Sequence, residues 1–143
     1  MLSFKEFSIQ GTYSSFRLSN ESKNVIKNLN IKNPVDPDTL HCTIMYSTVP
    51  VPAAYNLTPS VPVSATPMGY TLFGNNLVLL LKSDTLHAIH AQTRMLGATY
   101  DYPDYRPHIT VSTDNIEDVN NIPLPTEDLI FDLYRTEALD ESK

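Results

Sequence analysis

The amino-acid sequence predicts an α+β fold built on antiparallel sheets, and three observations carry that prediction. Strand-like segments recur along the 143 residues, two helix-compatible stretches interrupt them, and each helix precedes a strand that carries the pattern His-x-Thr. A hydrophobic fraction of 41% at this length supports one proper core, so residues 1–143 read as a single domain that needs no metal or disulfide to fold.

GTYSSFRL, residues 11–18, is rich in strand formers. A period of two puts Tyr13, Ser15 and Arg17 on one face and Ser14, Phe16 and Leu18 on the other. Ser19 is placed to cap a helix reaching about residue 30, with Val25, Ile26 and Leu29 as its apolar stripe and Lys23 and Lys27 on a solvated face. Two prolines in NPVDPDT, residues 33–39, close that helix as a loop. LHCTIMYST, residues 40–48, is the second strand. In the connection that follows, five prolines between residues 49 and 67 exclude a helix or a central strand through most of its length.

Residues 68–73 and 76–82 form a hairpin around Gly74-Asn75. Ser83 or Asp84 caps a second helix running to Leu96, with Leu86, Ile89, Thr93 and Leu96 on its buried side and Gly97 ending it. ATYDYPDY, residues 98–105, is a tyrosine-rich loop that leads into the strand RPHITVS. Residues 114–128 are polar and turn-rich, and residues 129–136 supply a last strand before an acidic tail, ALDESK, that frays. The two halves match only at the motifs and in element order.

Composition removes several classes of function. A net charge of −6 is wrong for a protein that tracks long nucleic acids, which needs a basic stripe, but it leaves room for a short or cyclic phosphorylated ligand. The longest apolar run, LVLLL, is strand-sized, so no membrane-spanning segment is expected. MLSFKEFSIQ has no signal-peptide pattern and Cys42 has no partner for a disulfide, which fits a reducing cytoplasm. Four glycines form no phosphate-cradling loop.

The chemistry sits in two aligned segments, His41-Cys42-Thr43-Ile44 and His108-Ile109-Thr110-Val111. Side chains two apart on a strand share a face and lie roughly 6 to 7 Å apart along it. His41 and Thr43 therefore point one way, as do His108 and Thr110, while Cys42, Ile44, Ile109 and Val111 point into the core. Chance supplies such a pair of motifs in roughly one sequence in two hundred.

These paired motifs resemble those of the 2H phosphoesterase superfamily, defined by two H-φ-[ST]-φ segments with φ apolar. More closely, the short chain, the GTYSSF strand and the order of segments are similar to the phage anti-CBASS phosphodiesterases, which degrade cyclic di- and trinucleotide messengers of bacterial immunity. The resemblance implies a bilobal fold, with two pseudo-symmetric antiparallel sheets lining a cleft and helices outside. It also implies metal-independent cleavage of 3′,5′ linkages with no cofactor, in the host cytoplasm.

The residue types suit that chemistry. The unperturbed imidazole of a histidine titrates near pH 6.5, so two of them can hold opposite protonation states near neutrality, one accepting a proton and the other donating. Thr43 and Thr110 would donate to the non-bridging phosphate oxygens. Tyr13 is the candidate base-stacking platform, with Tyr100, Tyr102 and Tyr105 as cleft or lid residues. Arg106 is a candidate for phosphate attraction, and Glu137, following the last strand, for accepting from an exocyclic base amine. His87 and His90 stand three apart on a helix but lack further ligands, and read as surface residues. The competing functions are action on a 2′,3′-cyclic phosphate or 2′-5′ linkage at RNA ends, and non-catalytic sequestration of a signalling nucleotide.

Overall fold

Strand-forming residues are arranged in six strands and two helices in the computed structural model, which describes residues 10–113 and 119–139. The strands are β1 (Thr12–Leu18), β2 (His41–Ser47), β3 (Val63–Phe73), β4 (Asn76–Lys82), β5 (His108–Ser112) and β6 (Leu129–Ala138). Helix α1 (Asn20–Lys27) follows β1, and α2 (Asp84–Met95) follows β4. Every neighbouring pair is antiparallel, and the order β1-β2-β5-β4-β3-β6 closes on itself.

This ring consists of two three-stranded sheets, β6-β1-β2 and β3-β4-β5. On one side they meet through the pair Cys42↔Ile109, and on the other through Val63, Ser64 and Ala65 against Phe131, Ile130 and Leu129. Strand, helix, strand is repeated as β1-α1-β2 and β4-α2-β5, with β6 and β3 added outside them. The predicted pair of pseudo-symmetric sheets is therefore present, joined along both sides.

The helices start where the sequence marks them. Ser19 accepts a hydrogen bond from the Ser22 N–H at 3.2 Å, and Ser83 from the Leu86 N–H at 3.2 Å, each satisfying an otherwise orphaned donor of the first turn. α1 ends at Lys27, short of the expected residue 30: Asn28 is its C-cap, and Asn30 turns into the left-handed region at φ 56°. α2 stops at Met95, with Gly97 at φ 106°.

Alternation sorts the side chains between core and cleft. Phe16, Cys42, Ile44, Leu77, Leu79, Ile109 and Val111 point outward from the ring and pack with Ile26 of α1 and Leu86 and Ile89 of α2 in one buried cluster. Each fully buried aliphatic or aromatic side chain contributes about 1.5–3 kcal/mol. The helices thus lie outside the sheets, and the opposite sheet faces look inward across a cleft.

Three expectations need correction. The proline-rich connection ends earlier than predicted, because β3 begins at Val63 and is a central strand, paired with both β6 and β4. Pro67 is tolerated there because β6 pairs only with Val63, Ser64 and Ala65, and its β4 partner Leu81 turns its N–H to the Pro107 carbonyl, so no ladder asks Pro67 for a donor. β6 continues to Ala138, so Glu137 lies within the last strand rather than after it. The tail is held at its start: Leu139 is buried and donates its N–H to the Gly11 carbonyl at 2.9 Å. Residues 1–9 and 140–143, which include most of MLSFKEFSIQ and ALDESK, lie outside the described residues, as do residues 114–118. Among the described residues no helix is long and apolar enough to cross a membrane.

Candidate active site

The pairing Cys42↔Ile109 sets the geometry of the site, because each of these residues directly follows a motif histidine. One step along the antiparallel register puts His41 opposite Thr110 and Thr43 opposite His108. All four are partly exposed on the cleft side, while Cys42, Ile44, Ile109 and Val111 are buried on the other. The two motifs are thus brought together on adjacent strands, with the histidines on a diagonal.

Both imidazoles are anchored in the same way. His41 Nδ1 lies 2.7 Å from the Thr39 carbonyl, and His108 Nδ1 lies 2.8 Å from the Arg106 carbonyl, in each case the residue two before. A carbonyl can only accept, so Nδ1 carries a proton in both rings and Nε2 is the atom left for chemistry. Each Nε2 accepts a proton when its ring is neutral and donates one when the ring is imidazolium.

The anchors are themselves fixed. Thr39 ends a 3₁₀ turn, Pro37–Thr39, capped by the Asp36 side chain, which accepts from the Asp38 N–H at 3.0 Å. On the other side the Pro107 carbonyl, next to Arg106, accepts from the Leu81 N–H at 3.0 Å.

A bulge in β2 brings a further residue to this face. The β1–β2 register shifts between Ser14 and Ser15, Ile44 and Met45 are both buried, and Tyr46 returns to the side of His41 and Thr43. Tyr13, from β1, hydrogen-bonds Thr43 Oγ1 through its hydroxyl at 3.0 Å. Its ring stands edge-on to His41 at 6.4 Å and to Tyr46 at 6.1 Å. Burial raises the Tyr13 phenol above its ordinary pKa, partly offset by the Thr43 contact, so it stays a neutral hydroxyl.

Tyr105 supports the same strand from behind. Its hydroxyl donates to the Thr43 carbonyl at 2.7 Å and lies 3.7 Å from Cys42 Sγ. Burial pushes the Tyr105 phenol far up and the Cys42 thiol up to about 11, so the tyrosine remains a donor and the thiol inert. His90 stacks on the Tyr105 ring at 4.1 Å and 8°, with Nδ1 2.7 Å from the Ile44 carbonyl. His90 is therefore a buried packing residue, not the surface residue its helix spacing suggested; His87 is exposed, 5.4 Å from the Tyr105 ring. Burial lowers the His90 pKa and keeps the ring neutral.

Between the sheets lies a cleft of about 640 Å³, bordered by Thr43, Thr110, His108, Arg106, Phe73 and the tyrosine-rich loop. The exposed Arg106 borders it, while His41, Tyr13 and Glu137 are not among the residues that line it and stand farther out on the β6-β1-β2 sheet, with Tyr13 bonded to Thr43 and Glu137 the cross-strand partner of Tyr13. Phe73, at the β3–β4 hairpin, is missed by sequence reasoning: it is 54% exposed and its ring lies 5.8 Å from that of His108. Its one sequence signal is an apolar aromatic directly before the Gly74-Asn75 turn. Among the described residues no three His, Cys, Asp or Glu side chains are grouped to hold a metal ion.

Comparison with known proteins agrees with this architecture. In solved structures the fold recurs in a phosphoesterase, with a TM-score of 0.63, 17% identity and coverage of 90% of this chain and 87% of that one. It recurs also in apo LigT of E. coli, with a TM-score of 0.62, 18% identity and coverage of 92% and 88%. The Anti-CBASS protein Acb1 of Salmonella phage S16 is 40% identical over 119 residues, 78% of this chain and 77% of its own. That of Enterobacteria phage T4 is 37% identical over 119 residues, with the same coverage. Residues 10–143 match the family described as Anti-CBASS protein Acb1. With two His-x-Thr strands side by side in a 2H-type fold and relatives at this identity, the chain belongs to the anti-CBASS Acb1 family.

Proposed function

We propose that this 2H-type phosphodiesterase cleaves the 3′,5′ linkages of cyclic di- and trinucleotide immune messengers, protecting a phage from CBASS in the cytoplasm of its host. The observation that carries this reading is the matched anchoring of His41 and His108 through Nδ1 to the carbonyl two residues before, on adjacent strands, which makes Nε2 the proton-exchanging atom of each ring.

One histidine removes the proton from a ribose 2′-hydroxyl as its oxygen attacks phosphorus. The other protonates the departing 5′-oxygen, and the ring opens to a 2′,3′-cyclic phosphate. Water then opens that cyclic phosphate with the two roles exchanged, which returns both histidines to their starting states. Such a pair needs opposite protonation states, which imidazoles reach near neutral pH.

Thr43 and Thr110 supply hydroxyl donors for the non-bridging oxygens, where charge grows in the transition state. When Tyr13 donates to Thr43 Oγ1, the Thr43 proton is directed to the substrate. Tyr13 thus orients Thr43 and adds an aromatic edge beside His41, while the exposed Phe73 offers a base a stacking face. Glu137 accepts from an exocyclic amine, and Arg106 attracts phosphate at the cleft mouth. The net charge of −6 favours such a small ligand over a long strand.

The test is incubation of the purified protein with cyclic di- and trinucleotides in EDTA, with products resolved by chromatography. Linear products ending in a 2′,3′-cyclic or open phosphate are expected, and intact substrate across the panel would sink the assignment.

A further inference from the structure

The two histidines have different neighbours on the cleft face. The cross-strand partner of His41 is Arg17, whereas that of His108 is Leu80. Arg17 Nε is buried without a hydrogen-bond partner, and Nη1 donates to the Asp38 carbonyl at 3.4 Å, near the limit of a hydrogen bond. The Asp38 carboxylate pairs with Lys23 at 3.5 Å instead. Arg135, exposed on β6, faces the same side two residue pairs along, opposite Ser15. Among the described residues neither guanidinium has a carboxylate partner. Two unneutralised guanidinium groups on one face, one with a buried and empty N–H, form an arrangement that an anion completes.

We propose that Arg17, assisted by Arg135, forms an anion subsite beside His41 that takes the phosphate of a cyclic dinucleotide that is not under attack. This rests on the functional reading above. The phosphate under attack lies between the histidines, where Thr43 and Thr110 serve its oxygens. Arg17 stands one strand farther out, about 5 Å beyond β2 and on the side away from His108. A cyclic dinucleotide carries its second phosphate at a fixed place across the ring, so one orientation brings that phosphate to Arg17. The reverse orientation would set it against Leu80 and Val78, which offer no donor. The subsite therefore gives a nearly symmetric site a preferred direction of binding.

Calorimetric titration of the His108→Ala protein with cyclic di-AMP and with adenylyl-3′,5′-adenosine, which has a single phosphate, separates this subsite from the site between the histidines. Adding Arg17→Gln should weaken cyclic di-AMP binding about tenfold and adenylyl-adenosine binding less than about twofold. Arg17→Lys should fall between, and Arg135→Gln, at an exposed position that tolerates change, should show a smaller loss with the same selectivity. Equal losses on both ligands, or none, would overturn the subsite while leaving the functional reading in place. If the His108→Ala protein binds neither ligand, the functional reading fails and the subsite falls with it.

Discussion

The two halves of the ring share a backbone plan and differ in what they present to the cleft. The β3-β4-β5 sheet shows Val78 and Leu80 beside its histidine strand, with Thr71 and Phe73 beyond them. The β6-β1-β2 sheet shows Tyr13, Ser15 and Arg17 beside its own, with Leu133, Arg135 and Glu137 beyond them. Register makes Arg17 the counterpart of Leu80, and Glu137 the counterpart of Phe73. Histidine and threonine, by contrast, occupy corresponding places in both halves, with the same backbone anchor on each imidazole. On the proposed function the chemistry is duplicated and the recognition is not: a proton-transfer pair would work from both sides of one phosphate, while a base and a second phosphate would each need one particular wall.

The largest expected effect tests the duplicated part. His41→Ala and His108→Ala should each lower kcat on a cyclic dinucleotide about 1,000-fold, the scale of a lost general acid or base, with the fold intact by circular dichroism. A difference of more than about tenfold between them would break the equivalence of the halves. Next, Thr43→Val and Thr110→Val should each cost about 100-fold in kcat, with little change in KM, because their hydroxyls meet charge that grows in the transition state.

Changes in the walls should be smaller and fall on KM. Phe73→Ala removes a stacking face worth about 1–3 kcal/mol and should raise KM about tenfold, in steady-state assays across substrates with different bases. Smaller again, Tyr105→Phe should leave chemistry nearly unchanged and lower thermal stability by about 1 kcal/mol, through loss of its hydrogen bond to the Thr43 carbonyl.

The least effect concerns pH and His90, whose ring faces Tyr100 and Tyr105, with Arg94 and His87 nearby. Burial depresses its folded pKa below the unfolded value near 6.5, so the unfolded chain takes up the proton first. The stability His90 contributes is full above about pH 6.5 and is lost as pH falls toward the depressed folded value. Thermal melts from pH 7.5 to 5 should show that slope, and His90→Gln should flatten it.

Much of this was legible because local chemistry decides it. Alternation alone divides His41 and Thr43 from Cys42 and Ile44, the serine caps mark both helix starts, and Gly74-Asn75 turns the hairpin. What was hidden depends on contacts between distant segments. Pro67 sits in β3 because the β6 ladder stops at Ala65 and leaves that side without a call for its missing donor, and no local rule announces where the ladder stops. His90 looked like a surface residue because its partners, the Ile44 carbonyl and the Tyr105 ring, come from other parts of the chain. Tyr13 was read as a stacking platform, and its hydrogen bond to Thr43 appears only once β1 and β2 are in register. Phe73 and Arg17 carry ordinary strand patterns, and only the fold sets them beside the two histidines.

The central claim is that one histidine from each half forms a single proton-transfer pair. It is tested most directly by the rate of cyclic dinucleotide cleavage in EDTA for the wild type, both single alanine variants and the double variant. Groups that act as a unit are strongly non-additive, so the account predicts that the double variant is no slower than about tenfold below either single one. A double variant slowed by the product of the two single effects, or either single variant retaining near-wild-type turnover, would contradict it.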